Sequence, residues 1–363
     1  MQNKNILYGV ALLSTMLCAC SSVKQTDAIS GATKLNHKGG NSLYHRTEEV
    51  PMKAGQLIIS GEVKQNGEVD FSKFYKREVF VKECLLSRAN EPEFTGAFRY
   101  SGYSLFDLLN DYILTKKNSD EFRPEIDAYI KIVNNKGESV VFSWSEIFHT
   151  MNPHQVIIAT EVAPIKPHRI EVNCYISNTW KVVASNDLFS YRNLENPVKI
   201  IVGSFNKKQY PINRDLETVY SSNLLVVFEE ADPSYSGKGF TVSQTVAREK
   251  LTRYHSTFYG MGMGYHAKSN FDGILLHEVL NDSINLLDGV LIKNGLVCFA
   301  AEDGYRTIFS FSELFNRTDQ VFPMLSITEN QGDGGYFRIY MPTDFYADRS
   351  VKALKEIYIF REL

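Results

Sequence analysis

The groups best able to hold a metal or attack a substrate are eight histidines and five cysteines, and their spacing decides what they can do. His149, His154 and His168, then His255, His266 and His277, form no H-x-x-x-H or H-E-x-x-H pair, so they read as loop or surface histidines. No G-x-S-x-G elbow supports a hydrolase, and Glu302 and Asp303 suit a turn before Gly304 better than a catalytic carboxylate pair. Glycines alternate from Gly260 to Gly264 without the strand-turn-helix spacing of a nucleotide loop; they read as a flexible or close-packed loop. Cys18 and Cys20 lie near the start. Beyond them Cys84, Cys174 and Cys298 allow one disulfide and one free thiol without choosing the pair.

Lys4 followed by the apolar stretch Ile6 to Leu17 has the layout of an export signal and is too short for a permanent membrane span. It ends in Leu17-Cys18-Ala19-Cys20, which resembles the lipobox of bacterial lipoproteins. The resemblance implies that residues 1–19 are a signal peptide and that Cys20 carries the lipid. The mature chain is then anchored to a membrane in the cell envelope, outside the cytoplasmic membrane, on a periplasmic or surface face.

The following polar stretch, 20–56, reads as a tether. Within it, Asp27-Ala28-Ile29-Ser30-Gly31-Ala32-Thr33 resembles the acceptor motif to which the extracytoplasmic flavin transferase attaches FMN in electron-transport subunits. The resemblance implies a phosphodiester on the hydroxyl of Thr33. Such a reaction needs a side-chain alcohol as nucleophile; Gly31 and Ala32 leave room for the transferase, and Asp27 and Ser30 offer polar groups for recognition. Thirteen residues separate Cys20 from Thr33, so an extended tether holds the flavin at most about 45 Å from the membrane surface.

With 44% hydrophobic and 12% aromatic residues the chain can bury a large core, and a net charge of −3 with interspersed signs gives no nucleic-acid footprint. Internal similarity is the main organising feature. GESVVFSWSEIF at 137–148 recurs as GYRTIFSFSELF at 304–315, and GYSLFDLL at 102–109 as GILLHEVL at 273–280, the latter with the apolar spacing of a short helix. Residues 180–201 match 337–358 without a gap, setting Asp187 on Asp344 and Arg192 on Arg349. We therefore read two α+β copies, 57–203 and 224–363, joined by a polar connector, 204–223, packed about a pseudo-two-fold with a ligand cleft between them.

Both copies resemble the oxidoreductase molybdopterin-binding domain of the sulfite oxidase family, on the closing segment GGYFRIYMPTDFYADRSVKALKEIYI and on AEDGYRTIFSFSEL at 301–314. The resemblance implies Arg338, Arg349 and Lys352 as pterin-phosphate cations, and Cys84, in VKECLLSRAN with Arg88 nearby, as the molybdenum ligand. Copy 1 has Glu195 where copy 2 has Lys352, and copy 2 has no cysteine matching Cys84, so neither copy holds the whole set. Three functions follow: an envelope redox lipoprotein with FMN on Thr33, served by a flavin transferase and a membrane electron-transfer partner; a non-redox binding or accessory lipoprotein; and a molybdenum oxidoreductase through Cys84.

Overall fold

A computed structural model describes residues 42–167, 169–170, 174–213, 215, 223–229, 239–243, 251–328 and 335–361. Cys20, Asp27, Ser30, Gly31, Ala32, Thr33 and His168 lie outside the described residues. The chain is mostly β, with 44% in strands and 13% in helices, in four small sheets arranged like a four-bladed propeller. This overturns the α+β class and, with it, the expectation of two tandem molybdopterin-binding domains. The apolar spacing read as a short helix does form one in each half, but each helix directly continues a long-range paired strand. Pro92–Ser104 is a strand that runs straight into the helix Leu105–Asn110, and Asn270–Leu275 runs into Leu276–Leu280. No loop intervenes in either case, because the last strand residue also begins the helix; Ser104 caps Leu105–Asn110 by accepting the Asp107 N–H.

One five-stranded sheet has the order Gly67–Glu68, Ile58–Gly61, Pro197–Ser204, Ala128–Asn134, Ser139–Ser143. Another has the order Gly239–Val242, Leu224–Phe228, Leu354–Arg361, Gly295–Ala301, Arg306–Ser310. In both, the opening strand of the half pairs parallel with its closing strand, and the other pairings are antiparallel. Two further sheets complete the halves. The first joins Leu194–Glu195, Lys181–Ala184, Val156–Pro164, Pro92–Ser104 and Arg77–Leu86; the second joins Thr252–His255, Asn270–Leu275, Met324–Ile327 and Phe337–Tyr340. Gly102 and Gly273 occupy matching places in them. A Cβ on either would sit 2.1 Å from a carbonyl oxygen, of Ile158 or Leu325, so only glycine allows the strands to close.

The halves are parts of one body. Val141, Phe205, Tyr210, Leu296, Cys298, Ala300, Ile308 and Phe360 form a single apolar cluster drawn from both halves and from the connector between them. Gly295–Ala301 is accordingly buried along its whole length rather than at alternate residues. The stretch read as tether also enters the fold before Gln56, since Val50–Pro51 pairs with Val156–Pro164 and Met52 is buried.

Two buried arginines tie the halves together. Arg192 donates to Asp187 (2.6 and 2.8 Å) and to Glu146 (2.6 and 3.0 Å), and crosses to Ser310 Oγ of the other half at 3.2 Å. Arg349 does the same with Asp344 (2.8 Å), Glu313 (2.9 Å) and, across the boundary, Ser143 Oγ (3.2 Å). Each guanidinium lies over a phenylalanine, Phe142 at 4.3 Å and Phe309 at 3.9 Å. Ser143 and Ser310 also cap the helices Trp144–Phe148 and Phe311–Phe315, so each serine fixes a helix start and presents a hydroxyl to the opposite half. Backbone bonds repeat the pattern: Leu188 N–H donates to Asn316 O, and Phe345 N–H to His149 O, both at 2.8 Å. Burial, against the pull of Arg349, pushes the Glu313 carboxyl up to about 7.

Replacing Arg349 by leucine strands Asp344 and Glu313 in the interior, and urea denaturation should show a loss of about 3–5 kcal/mol. A loss below about 1 kcal/mol would show that the network holds little. A raised carboxyl binds its proton more tightly in the folded state, so its contribution is full below the unfolded value of 4.5 and is lost as pH rises towards 7. Compared with Glu313→Gln, the parent protein should therefore lose stability across that window, by up to roughly 3 kcal/mol; parallel pH profiles for the two proteins would refute the assignment.

Candidate functional site

The two halves differ where their second sheets present a cation. Lys181 and Arg338 occupy corresponding positions in strands Lys181–Ala184 and Phe337–Tyr340, and each lies against a ring of the neighbouring strand region. Lys181 Nζ stands 4.7 Å from the Tyr100 ring centre, and the Arg338 guanidinium 5.2 Å from that of Phe271. In the first half Glu83 closes the place. Its Oε1 accepts from Lys181 Nζ at 2.6 Å, Asn193 Nδ2 at 2.8 Å and the Tyr100 hydroxyl at 2.9 Å. Burial and the Glu83 charge push the Tyr100 phenol far up, so it stays a neutral donor.

The second half has an aromatic ring there instead. Val79 pairs with Tyr100 and Tyr254 with Phe271; Glu83 lies four residues beyond Val79 in its strand, and Phe258 four residues beyond Tyr254, past the end of the strand Thr252–His255. Phe258 stacks on Arg338 at 4.7 Å. Beside it opens a cleft of about 820 Å³, lined by Phe258, Met263, His266, Lys268, Asp303, Tyr305, Arg338, Asp348 and Lys352. Arg338 Nε is held by Ser350 Oγ at 2.7 Å, and the Tyr305 hydroxyl donates to Asp348 O at 3.0 Å. Burial raises the Tyr305 phenol above its ordinary value, so it too is a neutral donor at neutral pH. A second hollow of about 300 Å³, lined among others by Met151, His255, Tyr259 and Asp344, shares the Phe258, Ala347 and Ser350 wall. Three cations, two carboxylates and two rings suit a planar ligand that bears an anionic group.

The structure divides the residues that the sequence grouped. Arg338 and Lys352 line the cleft; Arg349 does not, being 2% exposed and committed to Asp344 and Glu313. Cys84 sits on the edge strand Arg77–Leu86 of the first half, its backbone bonded to Ser190, with Arg88 exposed beyond it. The Cys84 thiol in the first half and Arg338 and Lys352 in the second do not converge on one group, so these residues do not fit a molybdenum–pterin cofactor. Among the described residues no group of three or more His, Cys, Asp and Glu side chains is placed to hold a metal ion. His149 is buried rather than superficial, and burial beside Arg349 pushes it down to about 4. The expected cleft between the halves is filled by their shared network and apolar cluster; the larger opening belongs to the second half.

Sequence reading missed Phe258, His266, Lys268 and Tyr305. The available signal was the glycine run from Gly260 to Gly264, whose neighbours on both sides line the cleft. No protein-family model matches the chain, and no curated protein matches it significantly.

A small anion that engages Arg338 and Lys352 should raise the melting temperature, since a ligand at a hundred times its Kd adds about 2.7 kcal/mol. Pyrophosphate is a suitable probe in differential scanning fluorimetry. Arg338→Gln combined with Lys352→Gln should abolish the shift; an equal shift in that variant would place the anion elsewhere.

Proposed function

We propose that the chain is a cell-envelope redox lipoprotein, anchored through Cys20, that carries covalent FMN on Thr33 and takes part in extracytoplasmic electron transfer. The observation that carries this reading is the run Asp27-Ala28-Ile29-Ser30-Gly31-Ala32-Thr33. A lipobox-like Leu17-Cys18-Ala19-Cys20 precedes it and directs it to the compartment where flavin transferases work. In the attachment step the Thr33 oxygen attacks the flavin-side phosphorus of FAD, the pyrophosphate bond breaks and AMP leaves, while the hydroxyl proton passes to a base of the transferase. The flavin then supplies the redox chemistry, and its membrane partner supplies or receives the electrons.

Co-expression with a flavin transferase followed by mass spectrometry of the peptide containing Thr33 should show an FMN phosphodiester. Thr33→Ala should lose both that mass and the flavin absorbance without a change in melting temperature. An unmodified Thr33 in the parent protein would overturn the reading. The cleft beside Arg338 favours a second reading, a ligand-binding lipoprotein with no redox group of its own; it expects a colourless protein that retains the pyrophosphate response.

A further inference from the structure

At one rim of the cleft a small hairpin pairs Tyr259–Gly260 with Gly264–Tyr265, leaving Met261-Gly262-Met263 as its turn. Gly264 takes φ +71°, the left-handed geometry that closes such a loop. Both methionines face outward, Met261 45% and Met263 80% exposed. Methionine ordinarily fills gaps in cores, and two thioethers placed in solvent on either side of one glycine have no packing role. The turn is nevertheless held in place. Met261 N–H donates to Asp348 Oδ2 at 2.8 Å and His266 N–H to Phe258 O at 2.8 Å.

A nitrogen donor lies beside Gly260, the residue that precedes Met261. Gly260 has no side chain, and the His266 imidazole covers its bare face: a Cβ there would sit 3.5 Å from His266 Nε2 and 3.9 Å from Asp348 Oδ2. Met263 and His266 line the same cleft. Neutral thioethers with one imidazole select soft, low-coordinate d¹⁰ ions; calcium, magnesium and zinc prefer oxygen or thiolate and imidazole sets. Asp348 Oδ2 accepts the Met261 N–H and places negative charge beside Gly260.

We propose that Met261, Met263 and His266 form a binding site for a soft monovalent metal ion, copper(I) or its redox-inert analogue silver(I). The site is separate from Thr33 and does not depend on its modification. Because Cys18, Cys20 and the partly exposed Cys84 and Cys174 would compete for such an ion, the test uses the full chain with these four changed to serine. Calorimetric titration with silver(I) should give one ion per chain, with shifts of the Met261 and Met263 methyl resonances. Met261→Leu with Met263→Leu, both exposed and close to isosteric, should weaken binding by at least the 10–100-fold that follows loss of even an outer-shell partner. His266→Gln should weaken it at least about ten-fold. A circular dichroism melt confirms that the variants fold. Absence of binding in the serine background, or an unchanged affinity in the double methionine variant, would overturn the proposal.

Discussion

Two guanidinium groups without access to water set the terms for the rest of the molecule. Arg192 and Arg349 are each flanked by two carboxylates, so the shared region holds four acids against two bases, and the excess negative charge must be reduced by a proton or by donated hydrogen bonds. Both remedies are present. Burial raises Glu313, and the Ser310 hydroxyl donates to Glu146 at 2.7 Å across the boundary. A buried ion pair adds little net stability compared with a well-packed apolar contact; what it contributes here is specificity, because a shifted docking of the halves would leave at least one charge unpaired.

That constraint makes the halves equivalent near their boundary and frees them to diverge away from it. The strands that carry Ser143 and Ser310 end in matching helices with matching caps, whereas the outer sheets differ in one decisive place. Glu83 satisfies Lys181 and closes the first half upon itself. In the second half Phe258 stacks on Arg338, and both line the cleft. A carboxylate meets the cation in the first half and a ring meets it in the second, and the cleft lies in the half with the ring.

Much of the repetition was legible in the sequence, because Ser-aromatic-Ser-Glu and the paired Asp and Arg positions recur at constant spacing. Their role was not. Arg349 has the chemistry to hold a phosphate, and only the placement of Asp344 and Glu313 around it shows that the charge is already used. The helices in GYSLFDLL and GILLHEVL were legible, but the strands that run into them were not: in each the glycine is pressed against a neighbouring strand's carbonyl, a long-range contact that local apolar spacing does not encode. His149 was misjudged for the same reason, its burial depending on residues from the other half.

The sequence by itself determined what depends on short contiguous runs: an export-type start, the Cys20 and Thr33 acceptor patterns, and the existence of an internal similarity. Enzymes that read a lipobox or a flavin acceptor recognise local chemistry, so those expectations need no fold. Tertiary structure decided that Arg349 is enclosed by carboxylates while Arg338 and Lys352 line a cleft, that the chain is built of sheets, and that Met263 and His266 line that same cleft. Those outcomes rest on strand pairing and burial between residues far apart in the chain, where the surroundings of a charged group, more than its identity, fix what it can do.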